Sequence, residues 1–75
     1  MKKETLEMMI DVTRRHTMVL AEGLADDAER LAEKLARGQG QMLFEGGLVT
    51  WADNIQRNLT KIQVLEDLLR RMEGE

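Results

Sequence analysis

Seventy-five residues make one domain at most, of a size that buries only about 60% of its unfolded surface. The chain has no cysteine and one histidine, His16, which excludes disulfides, thiolate metal sites and an imidazole cluster within one chain. A net charge of −3 gives no general attraction to nucleic acid or to an anionic membrane.

Proline is absent and the only aromatics are Phe44 and Trp51, a composition that reads as helix bundle or coiled coil. From the start, Met1-Lys2-Lys3 runs straight into Glu4, Glu7 and Asp11, which is not the pattern of a secretory leader. No apolar run approaches the roughly 20 residues of a membrane span, so a cytoplasmic protein is expected.

The first element is a helix over about residues 3–37. Leu6, Ile10, Leu20, Leu24, Ala28, Leu31 and Leu35 recur at a step near 3.6, with Thr13 and Thr17 in two of the slots. Glu33 with Arg37, and Asp26 with Arg30, are spaced for i,i+4 pairing. Arg37-Gly38 supplies a basic last turn and a residue suited to a left-handed cap. Gly23 interrupts the composition but not the phase of the stripe, which predicts one continuous helix.

The connector is Gly38-Gln39-Gly40-Gln41, or else the whole stretch 38–47. Interior glycine costs about 0.5–1 kcal/mol against alanine, which argues for a loop reaching Gly47. Equal arm lengths, roughly 50 Å each, argue for a second helix starting near Gln41 with Gly46 and Gly47 in its early turns. The short connector is the preferred reading, since antiparallel helix pairs use two- to five-residue links.

The second helix, to about residue 73, carries a heptad. Leu48, Ile55, Ile62 and Leu69 fill one position, and Trp51, Asn58, Leu65 and Met72 the other, with Ala52 and Leu59 widening the stripe. Asp53–Arg57, Glu66–Arg70 and Asp67–Arg71 are spaced to support it. The expected fold is therefore all-α: a single domain spanning residues 1–75, an antiparallel two-helix hairpin that dimerises into a four-helix bundle.

With the turn near Gln39–Gly40, Trp51 should face Ala28, with Ala25 and Ala32 nearby. Leu20 should meet Leu59, Leu24 Ile55, Leu31 Leu48, and Ile10 Leu69. His16 should fall near Glu66, and Asn58 could fix register from a core slot.

Away from this seam the two halves of the hairpin differ. Toward the loop, everything off the stripe of the first helix is polar. Toward the open end, Met1, Met8, Val12 and Val19 form a second apolar stripe, and past Ile62 the second helix adds Val64, Leu65, Leu68 and Met72. That is more apolar surface than one neighbouring helix covers, and a patch of this size marks an interaction site.

These features predict a non-enzymatic protein–protein interaction module, acting as adaptor, regulator, co-chaperone or inhibitor. Its partner-binding residues are expected to be Met8, Val12, Val19, Val64, Leu65, Leu68 and Met72. Its partner is expected to be a second copy, another protein, or both. The alternative is a nucleic-acid-binding bundle using Arg14, Arg15, Arg30, Lys34 and Arg37 against phosphates. Surrounding acids and the lack of interleaved aromatics disfavour it. A lone histidine without a nucleophile or ligand set predicts no catalysis, metal, cofactor or small-molecule substrate.

Overall fold

The computed structural model describes residues 2–38 and 46–74. They form two helices in contact, α1 over Lys3–Ala36 and α2 over Gly46–Glu73, with no strand among the described residues. The hairpin is a rod, 59 Å long and 14 Å across between Cα extremes.

The left end of α1 has no side-chain cap, and the Lys2 carbonyl accepts from the Leu6 N–H at 3.1 Å. At the other end Gly38 sits at φ +75°, and its N–H donates to the Leu35 carbonyl at 3.0 Å. That left-handed geometry is where glycine escapes the Cβ penalty. Arg37 caps the same turn, its N–H shared between the carbonyls of Glu33 and Lys34. Gly46 and Gly47 open α2, so the connector stops short of Gly47. The preferred helix start near Gln41 falls on residues 39–45, outside the described residues.

The seam follows the expected stripes. Leu6, Ile10, Ile62 and Leu65 form the buried cluster, with Met9 and Leu69 packed against it, and Leu20 is buried farther along. Thr13 occupies its core slot by donating to the Met9 carbonyl at 2.7 Å, and Thr17 does the same to the Thr13 carbonyl. Back-bonding to the preceding turn satisfies each hydroxyl, so neither threonine leaves a polar atom orphaned in the seam. Ile10 and Leu69 line one groove, as the expected register requires. Leu59 and Ala52 are exposed, so the stripe of α2 is narrower there than the sequence suggests.

Nearer the loop the register departs from expectation. Trp51 does not rest on Ala25, Ala28 and Ala32, all of which are exposed. Its ring lies over Gly23, where an added Cβ would come within 2.7 Å of Cη2. Its Nε1–H donates to Asp27 Oδ2 at 2.6 Å. A ring this large needs a position with no side chain, and a half-buried indole N–H needs an acceptor. Gly23 and Asp27 supply both from one face of α1, which is why a glycine is kept in the middle of this helix.

Candidate interaction surface

Four cross-helix contacts fix which side of the seam each residue occupies. Arg14 reaches Glu66 at 2.6 Å and Lys3 lies 3.8 Å from Glu73. On a wheel of 100° per residue these four residues share one side of the hairpin. The Asn58 amide meets His16 Nδ1 at 3.2 Å, and with Trp51–Asp27 it marks the opposite side. His16 thus pairs with Asn58 and not Glu66. The longer guanidinium of Arg14 takes that carboxylate from the other side.

The Arg14–Glu66 side is charged. Two open grooves run along it, of about 270 and 250 Å³, both bordered by Glu66 and Leu69. Glu73 and Arg70 flank the first, and Glu7, Asp11 and Arg14 the second. Both are smaller than ordinary ligand pockets, which start near 300 Å³.

The His16–Asn58 side is mostly apolar over the open-end half, with exposed Lys61 its charged exception. Met8 and Val19 are 61% exposed, Val12 56%, Val64 53%, Leu68 41% and Met72 38%. The wheel puts all six on this side, Met8, Val12 and Val19 from α1 and Val64, Leu68 and Met72 from α2. The antiparallel register sets Val12 beside Val64, and Met8 beside Leu68, to within a turn. Two stripes distant in sequence thus merge into one surface.

Leu65 is the exception among the seven expected docking residues. It is only 6% exposed and belongs to the buried cluster. The heptad already assigns it to the seam, and a side chain used there is not offered to a partner. Met1, expected at the edge of the stripe, lies outside the described residues. Met18, Val49 and Leu59 are exposed on other sides, and Leu35, expected in the seam, is 57% exposed near the loop, so none of them joins this surface.

The basic residues are dispersed by contrast. Arg14 is held by Glu66, Arg15 by Asp11, Arg30 by Asp27 at 3.4 Å, and Arg37 by Glu33 at 4.0 Å. Lys34 stands exposed. Arg14 and Arg15 point to different sides, so the cluster seen in sequence is not one patch in space. Asp53–Arg57 pairs at 3.3 Å as spaced. Arg30 and Arg70 each choose the carboxylate three residues back, Asp27 and Asp67. For Arg70 the reason is visible at Glu66, which faces α1 and is engaged by Arg14.

Among the described residues no cluster of three or more His, Cys, Asp or Glu side chains could hold a metal ion. No helix among them is long and apolar enough to cross a membrane. The fold and this surface define a helical hairpin with one apolar and one charged side. Neither protein-family models, nor curated proteins, nor solved structures give a match to the chain.

Proposed function

We propose that this chain is a non-enzymatic protein–protein interaction module, one that docks through the apolar side of its open end and thereby serves as an adaptor, regulator, co-chaperone or inhibitor. The observation that carries the reading is the confluence of Met8, Val12, Val64 and Leu68 on one side of a two-helix rod. These four side chains stand 41–61% exposed, although the same half of the molecule already has a filled seam. At about 25 cal/mol per Å², keeping them wet forfeits several kcal/mol, comparable to the stability of a domain this size. Two helices alone offer no third layer to cover them. A partner helix or helix pair does, and the simplest product is a four-helix bundle.

The chemistry of phosphate recognition is poorly served, because four of the five candidate basic residues already hold a carboxylate. Cytoplasmic residence fits a cysteine-free chain with an uncovered apolar surface.

Sedimentation equilibrium of the wild type beside Val12→Asp and Leu68→Asp tests the reading. The expected result is a wild-type assembly that either substitution reduces to helical monomers. A wild-type monomer whose mass, helicity and melting temperature match those of both variants would overturn self-association through this surface and leave a different protein as the partner.

A further inference from the structure

We infer that the occupant of the apolar side is a second copy of this chain, laid antiparallel across it so that only the open-end halves overlap and the two loop ends project in opposite directions. The inference rests on the docking surface proposed above and adds its occupant and geometry.

The area comes first. The chain exposes 5941 Å² for a mass of 8.6 kDa. A compact monomer of that mass exposes roughly 4,700 Å², and a stable interface removes about 800 Å² from each partner. The surplus, roughly 1,200 Å², is more than enough to supply one such interface. An overlap of about 20 residues per arm is about 30 Å long and two helices wide, which gives a contact of that order.

Symmetry comes second. A two-fold contact must be self-complementary. The midpoint between Met8 and Val12 on α1 lies level, to within a turn, with the midpoint between Val64 and Leu68 on α2, as the Lys3–Glu73 and His16–Asn58 contacts place them. An axis through those midpoints, across the rod, sets Met8 on the partner's Val12 and Val64 on the partner's Leu68. Each of these four side chains is covered by another, and α1 lies on α1 and α2 on α2, antiparallel.

Charge decides between this and the aligned alternative, in which both open ends point the same way. On the docking side the loop-end half presents Asp26, Arg30, Lys34 and Arg57, all exposed. Aligned stacking runs these through the interface along the whole rod, and burying charges without new partners is costly. It also sets Arg57 on the partner's Val19. The antiparallel overlap leaves Asp26, Arg30 and Lys34 in water, with Lys61 the exposed charge of this side that stays within it.

The chain lacks cysteine, so single labels can be placed at will. Nitroxides on Asp11→Cys and Lys34→Cys, both exposed positions, are measured by pulsed dipolar spectroscopy in the full chain. The antiparallel overlap predicts about 20 Å between the labels at position 11 and about 70 Å at position 34. Short distances at both positions would overturn the geometry while leaving the docking surface in place. Long distances at both would place the contact elsewhere and overturn it too. No dipolar coupling at either position, at concentrations where unlabelled protein is monomeric, would overturn the second copy as occupant.

Discussion

The two halves of this rod are built from the same two helices and are held together differently. Toward the open end, Leu6, Ile10, Ile62 and Leu65 close a buried cluster. Toward the loop, no apolar side chain beyond Leu20 is fully buried among the described residues, and Trp51, seated on Gly23 and bonded to Asp27, is the main lock. The better-packed half is also the one with the larger uncovered apolar surface. A helix pair can satisfy one stripe per helix. Where the sequence supplies two, the second is left exposed.

The sharpest way to break the comparison is through the cluster. Leu6→Ala empties a site that is 1% exposed and should cost about 2–5 kcal/mol in chemical unfolding followed by circular dichroism. Leu31→Ala, at a half-buried position of the other half, should cost at most about half as much. Equal losses would erase the distinction between the halves.

Gly23→Ala tests the lock. Alanine gains helix propensity, but its Cβ meets the indole at 2.7 Å, so a net loss of about 1–2 kcal/mol is expected, with a red shift of Trp51 emission. A double-mutant cycle between Asp27→Ala and Trp51→Phe should return a coupling of about 1 kcal/mol, from the bond between the indole and the carboxylate. Smallest of all, Arg14→Ala should cost about 0.2–1 kcal/mol and less in high salt, because both partners of its ion pair are substantially exposed.

Much of this was legible in the residues. The step of the apolar stripe and Arg37-Gly38 define α1, and the heptad from Leu48 to Leu69 defines the face of α2 turned toward it. The exposed stripes were legible too, because at 100° per residue Met8, Val12 and Val64 cannot share the seam. The exact meeting points were not. Register depends on the connector, and alanine rows and a helical glycine are equally plausible seats for an indole on spacing alone. The signal for Gly23 was its persistence in a helix that pays for it. The signal for Asp27 was the need of a lone indole N–H for an acceptor. For Leu65 the heptad itself carried the answer, since a core slot and a docking role exclude one another.

The strongest packing in the molecule joins segments that are the farthest apart in sequence, with Leu6 and Ile10 meeting Ile62 and Leu65. Closing a long loop costs more entropy than closing a short one. Loop-closure entropy therefore favours zipping from the loop end, with the cluster expected to form last. Leu6→Ala should accordingly speed unfolding while leaving the folding rate almost unchanged. The surface formed by Met8, Val12, Val64 and Leu68 comes together only at that final step. On the docking proposed above, a partner that recognises it would read completed hairpins and pass over half-zipped ones.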